Sequence, residues 1–271
     1  MNAIAFLLLP LTGCVLLLLL HTYFGVHVLE RGMIFVDLSL AQFISIGIAL
    51  SFVFGQEEHF MLFYALAFAV VGASILSLNR KVSRFVYVEA FIGVLYIFSL
   101  AAGILVLDKT PHGAEELKNI LNGNILWLTR RDIVNMAVLY AAIGAFHWIF
   151  RKRFIALSFD RRGGTVWEFL FFLSFAVMLV NSIRVAGILQ VFSFLIIPAL
   201  IGKLFTAEPW RILVSGWLIG LAASVLGIVV SYRLDVPTAP LIVAFLSIAF
   251  FALLGFNVWR RKEVSVVYDR T

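Results

Sequence analysis

Two carboxylates stand inside apolar stretches of this sequence at corresponding positions. Asp37 lies in the run from Arg31 to Phe52, and Glu89 follows the basic segment that ends at Arg84 by a similar interval. A carboxylate in hydrocarbon is costly unless it faces the interior of a helix bundle or a wet cavity, and such residues mark substrate or ion pathways. The two acids at matched depth therefore predict a pathway between helices.

The composition decides the class of protein that must position these acids. Hydrophobic residues make up 63% of the 271 residues and charged residues only 13%, with a mean hydropathy of +1.05. These values are typical of an integral membrane protein and exclude a water-soluble domain. Apolar runs long enough to cross a bilayer as helices occur at Ile4–Leu20, Phe35–Phe54, Phe60–Leu78, Val86–Leu107, Ile133–Phe150, Trp167–Val180, Val185–Phe205, Ile212–Val230 and Leu241–Val258. The sequence predicts an all-α membrane bundle of about nine transmembrane helices, forming one domain over 1–271.

Basic residues gather on alternate loops and set the predicted orientation. Loops 79–84 and 151–166 and the tail from 260 are basic, whereas the intervening loops carry acids such as Glu58 and Asp235. Short basic loops stay on the cytoplasmic side, so the N-terminus is predicted outside and the C-terminus in the cytoplasm. The net charge of +6 then reflects membrane topology, and no nucleic-acid partner is expected.

The longest outer segment, 107–132, carries a possible metal site. Thr110 and Pro111 predict the start of a short helix, on which His112, Glu115 and Glu116 have the spacing i, i+3 and i+4. Imidazole and carboxylate on one helix face can hold Zn or Mn, although acids at a helix start are also common caps. His59, which opens the third span, is a further candidate outer metal contact.

Arg184 is the last charged candidate within the apolar part of the chain. It precedes Gly187 and Pro198, so the seventh span is predicted to be kinked or broken. Arg184 either extends to the outer boundary of the membrane or pairs with an acid on the pathway.

The sequence lacks the motifs of an enzyme that would drive transport. It contains no GxxxxGK[ST] phosphate-binding loop, no HExxH and no GxSxG. An active transporter of this kind needs an ATPase on another subunit, and the cytoplasmic loop from Arg151 to Val166 is the natural docking surface for it.

Several segments together resemble a known family, the membrane permease subunits of ATP-binding-cassette importers for zinc, manganese and sometimes iron. They are LERGMIFVDLSLAQFISIGIALSF, VEAFIGVLY, LNGNILWL, SIRVAGILQVFSFLIIPALIGK and LDVPTAPLIVAF. The resemblance implies a bundle of eight or nine helices in the bacterial cytoplasmic membrane, paired with a second copy. It also implies two cytoplasmic ATPases that bind ATP, an extracytoplasmic metal-binding protein, and a metal ion as cargo with no permanently bound cofactor.

The resemblance also assigns roles to residues. Asp37 and Glu89 match acids on the translocation path, to which Ser39, Gln42 and Arg184 are added as candidates. Many relatives carry a histidine where Ser39 to Gln42 stand here, so the outer group at His112 would supply what the second span lacks. The ATPase-coupling region is matched by Phe159, Asp160, Arg161, Arg162, Gly163 and Gly164.

Two other classes remain open at the level of sequence. A proton-coupled carrier would use Asp37 and Glu89 as protonation sites, and a membrane scaffold would use neither. No clear internal repeat of the kind that many secondary transporters show is visible, which argues against the carrier.

Overall fold

Eleven helices make up the part of the chain that the computed structural model describes, which is residues 3–54, 58–110, 112–160 and 162–268. A 3-10 turn, Ile125–Trp127, lies between α6 and α7. The helices are α1 (Ala3–Arg31), α2 (Val36–Val53), α3 (Glu58–Leu76), α4 (Asn79–Val82), α5 (Val88–Leu107), α6 (Gly113–Asn122), α7 (Arg130–Ile149), α8 (Arg151–Ser158), α9 (Thr165–Phe205), α10 (Pro209–Leu234) and α11 (Thr238–Tyr268).

Within the described ranges, eight of these helices are long and apolar enough to span a membrane: α1, α2, α3, α5, α7, α9, α10 and α11. The all-α membrane architecture predicted from the sequence is therefore confirmed. The difference from nine lies in α9, where the predicted sixth and seventh spans form one helix of 41 residues.

Helix α9 is broken at Gly187, whose φ of 73° and ψ of 165° are not helical. Both ends of α9 contact the C-terminal end of α1, because Glu168 pairs with Arg31 and Lys203 pairs with Glu30. Each arm, 165–186 and 188–205, holds about 20 residues, which at 1.5 Å per residue is about 30 Å and can cross a bilayer. The contacts indicate that α9 folds back on itself. The count of nine and the orientation of the termini stay predictions.

The bend in α9 is packed against the segment that follows α6. The backbone N–H of Asn124 donates to the carbonyl of Val185 at 3.0 Å. Gly123 and Gly187 both have positive φ, and a Cβ on Gly187 would stand 2.3 Å from the backbone nitrogen of Gly123. Only glycine permits both the conformation and this close approach.

Helix α1 is longer than the predicted span Ile4–Leu20, because it continues to Arg31. The apolar run ends at His21, but the helix does not, since polar side chains beyond this point find partners within the bundle. The His21 ring bonds to the carbonyl of Leu17, and His27 bonds to Ser158. Both histidines therefore lie within α1 and not in a turn.

Helices α2 and α9 are the most buried spans, whereas α5, α7 and α11 present most of their surface to the surroundings. Helix α2 packs against α3, α5 and α9, and α1 packs against α7, α9 and α10. A buried aromatic group in which Phe24 contacts Phe171 and Phe175 joins α1 to the first arm of α9. This group therefore holds α1 against the first arm of α9.

Candidate functional site

Asp37 and Glu89 occupy equivalent positions, each as the second residue of its helix. Helices α2 and α5, which carry them, pack against one another. The backbone N–H of Phe35, two residues before Asp37, donates to Glu89 Oε1 at 3.1 Å. The matched depth inferred from the sequence therefore corresponds to proximity in the structure.

Both acids lie at the beginning of a span and not in its middle. Negative charge at a helix N-terminus is stabilised by the helix dipole and by the free N–H groups of the first turn. The same end of the bundle holds Arg31 and Arg80, so the acids lie beside the basic boundary that the loop charges predict to be cytoplasmic.

Most of the oxygen atoms of this acid pair have no hydrogen-bond partner among the described residues. Asp37 is 2% exposed, and both of its carboxylate oxygens lack a partner, as does Glu89 Oε2. Buried polar atoms in folded proteins are normally hydrogen-bonded, and exceptions call for an explanation such as an ion or a functional role. Carboxylate oxygens in this state can accept a proton or bind a cation.

The other two candidates on α2 do not share the face of Asp37. Ser39 is fully buried with an unpartnered hydroxyl, and Gln42 is 4% exposed. Residues two apart on a helix point in different directions, whereas Ser39 and Gln42, three apart, are neighbours. In the described part of the chain, no three His, Cys, Asp or Glu side chains form a group that could hold a metal ion. The acid pair is thus a two-carboxylate site.

Arg184 pairs with Asp132, the closest approach being 3.6 Å from Nη2 to Oδ1. Asp132 belongs to the first turn of α7, where it forms a capping box with Thr129. Arg184 is 16 residues beyond Glu168 on the same arm of α9, or about 24 Å along the helix. Of the two alternatives, pairing with an acid is the one observed, but the structure does not bring Arg184 to Asp37 and Glu89.

The outer group is more open than the sequence suggested. Helix α6 begins at Gly113 with His112 as the N-cap residue, so the predicted helix start at Thr110 is wrong. The hydroxyl of Thr110 instead donates to the carbonyl of Leu107. Pro111 lies outside the described residues. His112 and Glu115 are exposed. The His59 side chain lies outside the described residues, and its role as a metal contact stays a prediction.

A buried ion-pair cluster ties the predicted coupling segment to the bundle. Glu168, which is 2% exposed, accepts hydrogen bonds from Arg31 and from Nε of Arg80, the latter at 2.8 Å. Arg80 also donates to the carbonyl of Gly163. The guanidinium of Arg31 lies 4.9 Å from the ring centre of Phe171. This cluster joins α1, α4 and α9 at the end where the acids lie.

Glu168 was missed, although the argument that selected Asp37 applies to it equally. It is an acid in the predicted sixth apolar span, Trp167–Val180. Its pairing with two arginines distinguishes it from Asp37, whose oxygens are unpartnered.

A second buried polar group also escaped the sequence argument. His147 bonds through Nδ1 to the hydroxyl of Tyr23 at 3.0 Å and through Nε2 to that of Ser174 at 2.8 Å. His27 bonds to Ser158 at 2.8 Å, which fixes the end of α8 against α1. Both histidines are buried.

The coupling segment begins where α8 ends. The Phe159 ring contacts His27, the Arg162 N–H donates to the carbonyl of Ala156, and Gly164 is the N-cap residue of α9. Asp160 is exposed, and Arg161 lies outside the described residues. The segment is therefore held at both ends and presents a polar surface between them.

Comparison with known proteins gives matches over nearly the whole chain. The ABC 3 transport family profile matches residues 3–257. A Chlamydia muridarum protein named "Probable metal transport system membrane protein" is 31% identical over 169 residues, 60% of this chain and 58% of that protein. The manganese import system permease protein ScaB of Streptococcus parasanguinis is 25% identical over 241 residues, 86% of this chain and 84% of ScaB.

A solved structure shares the fold. It is described as PsaBC from Streptococcus pneumoniae in complex with Fab, and it superimposes with a TM-score of 0.75 over 92% of this chain and 90% of that chain, at 24% identity.

Proposed function

This chain belongs to the ABC 3 transport family, and we propose that it is the membrane permease subunit of an ATP-binding-cassette importer that carries a divalent transition metal ion into the cytoplasm. Zinc and manganese are the proposed cargo, with iron as a further candidate. The energy comes from a separate cytoplasmic ATPase, because the sequence holds no phosphate-binding loop of its own. The names of the relatives, which include manganese and metal transport systems, support this class of cargo.

The observation that carries the proposal is the acid pair of Asp37 and Glu89. A dehydrated divalent cation needs compensating negative charge, and three carboxylate oxygens here have no partner in the part of the chain that the structure describes. Two carboxylates without a third ligand give a site that binds weakly, and conduction requires binding that is favourable enough for entry and weak enough for release. The pair suits a passing ion better than a resident one.

The remaining subunits follow from the same class of transporter. A second copy of the permease would enclose the path, and a metal-binding protein outside the membrane would deliver the ion. The segment from Phe159 to Gly164 would contact the ATPase, and its anchoring to Glu168 through Arg80 would transmit movement to α9 and α1.

The test is metal uptake by proteoliposomes that contain this chain and its ATPase. Wild type is compared with Glu89→Gln, and Glu208→Gln is the control because Glu208 is exposed and pairs with Arg211, three residues away on the surface. ATP-dependent uptake that collapses in Glu89→Gln and persists in the control supports the importer. Uptake driven by a proton gradient without ATP identifies a carrier. Full uptake when both Asp37 and Glu89 are neutralised refutes the role of the acid pair.

His112, Glu115 and Glu116 are proposed as the outer residues that first meet the ion. They lie at the N-cap and in the first turn of α6. All three are in the described part of the chain and do not form a three-ligand metal group, but their two carboxylates would attract an approaching cation. Replacing His112 by Ala together with Glu115 by Gln is expected to raise the metal concentration needed for half-maximal uptake and to leave the maximal rate unchanged. An unchanged half-maximal concentration would contradict this assignment.

A further inference from the structure

A groove at the surface of the bundle has the build of a binding site that the transport pathway does not use. It lies between α1, α7 and α10, and its volume is about 570 Å³. This volume falls within the range of about 300–1,000 Å³ that is typical of small-molecule sites. Its wall is formed by Leu16, Leu19, Leu20, Ala137, Ala141, Gly144 and Leu213, with aromatic residues toward one end.

One end of the groove is polar and aromatic. Three of its lining residues lie at helix ends: Trp148 at the end of α7, Arg151 at the start of α8 and Trp210 at the start of α10. The Arg151 guanidinium stands over the Trp148 ring at 5.0 Å and donates to the Trp148 carbonyl at 3.2 Å. Tryptophan is enriched at the level of the lipid headgroups, where one part of the ring is in hydrocarbon and another meets polar groups. This end therefore lies at the membrane surface and the apolar part lies within the hydrocarbon.

The charge of this end is positive and is not compensated by a carboxylate. Across the described residues, no acid forms an ion pair with Arg151, and Lys152 and Arg153 follow it directly on α8. An anion with acceptor oxygens at this position would pair with Arg151, and basic pockets between helices on the cytoplasmic side are where anionic lipid headgroups bind.

We propose that the groove binds one anionic glycerophospholipid, with an acyl chain along the apolar wall and the phosphate on Arg151. The site is separate from the acid pair, because none of the lining residues belongs to α2 or α5. The site also does not depend on the transported ion, so binding can be measured without transport.

Two substitutions in the groove separate the headgroup from the acyl chain. Arg151→Gln removes the partner of the phosphate, and Arg153→Gln is its control because Arg153 lies on the same helix but not in the lining. Gly144→Leu fills the apolar wall, and a Cβ at Gly144 meets no atom within 4 Å. Gly93→Leu is its control, since Gly93 on α5 has equally open space and lies outside the groove.

The experiment is a lipid titration of the full-length chain in detergent, followed by native mass spectrometry. Phosphatidylglycerol and phosphatidylcholine are the two probes, and monodispersity on size exclusion shows that each variant is folded. Wild type is expected to retain one phosphatidylglycerol in preference to phosphatidylcholine. Arg151→Gln should weaken phosphatidylglycerol binding by about five-fold, as one lipid-facing cation is worth about 1 kcal/mol. Gly144→Leu should weaken both lipids, and the two controls should match wild type.

Two results would overturn the proposal. Retention of phosphatidylglycerol by Arg151→Gln and Gly144→Leu at the wild-type level would show that lipid binds elsewhere. Loss of a dimer in Gly144→Leu, without loss of lipid from the remaining chain, would show that a second copy covers the groove. Neither result concerns metal uptake, so the proposed transport function is tested independently by the uptake experiment.

Discussion

Removing the charge of Glu168 tests whether the buried ion-pair cluster holds the bundle together. Glu168 is 2% exposed and Arg31 is 6% exposed, so Glu168→Gln leaves a guanidinium buried without its counter-charge. Breaking a buried pair by removing one partner costs about 3–5 kcal/mol. Arg80 contributes less, because its side chain is 36% exposed and can turn to water.

The exposed pair of Glu208 and Arg211 provides the matched control. Their side chains are 65% and 70% exposed, and exposed pairs contribute about 1 kcal/mol or less. Thermal unfolding of the purified chain is the assay, with each 1 kcal/mol taken as roughly 2–4 °C. Glu168→Gln is therefore expected to lower the midpoint by about 10 °C, and Glu208→Gln by about 3 °C or less.

A double substitution separates the charge from the packing. Replacing Arg31 and Glu168 together by Leu removes both buried charges, and buried pairs exchanged for apolar residues are often neutral. The double variant should unfold close to wild type. The reasoning is refuted if Glu168→Gln unfolds at the same temperature as Glu208→Gln, or if the double variant is less stable than Glu168→Gln.

Three further predictions concern the bend, the acid and the topology. Gly187→Ala should destabilise the fold by about 1–3 kcal/mol, because its φ of 73° and the 2.3 Å approach to Gly123 both exclude a Cβ. Gly93→Ala is the control and should not destabilise the fold in this way, since a Cβ there has open space. Equal unfolding midpoints for the two variants would contradict this prediction. Asp37→Asn should lower the unfolding midpoint by about 4 °C or less, because its oxygens have no hydrogen-bond partner among the described residues and a charge at a helix start is worth about 1 kcal/mol. It should nevertheless reduce ATP-driven uptake by about tenfold or more; unchanged uptake would remove Asp37 from the path. Labelling with a membrane-impermeant maleimide should modify Asp235→Cys from outside and Arg84→Cys only from inside, as two crossings by α9 require; labelling of both from one side would leave α9 as a single crossing.

The sequence was informative where hydropathy and charge act over a whole span. The spans α2, α3, α5, α7, α10 and α11 were each anticipated from apolar runs. The matched depth of Asp37 and Glu89 was anticipated from their similar distances from basic segments, and both acids begin a span. The sequence did not predict that α2 and α5 bring the two acids together. The length of an apolar run and the basic residues at its ends thus predict well where a residue lies along its span.

Polar residues inside helices were the source of the errors. The apolar run of α1 ends at His21, and only the partners supplied by distant residues, such as Ser158 for His27, allow the helix to continue to Arg31. Glu168 was absorbed into an apolar run because its two arginines lie 137 and 88 residues away. A pattern along the chain does not contain such pairings, which arise from packing.

The distance along the chain between Arg31 and Glu168 has a consequence for biosynthesis. Their hydrogen bond joins residues 137 apart, and a ribosome adds about 5–20 residues per second. Glu168 is therefore synthesised roughly 7–27 s after Arg31. During that interval the guanidinium at the end of α1 has no Glu168 to neutralise it and must be hydrated or held by lipid phosphate. Completion of the first arm of α9 supplies Glu168 and pairs this charge. Until then, a nascent chain differs from the complete one by a guanidinium at the end of α1 that lacks this partner.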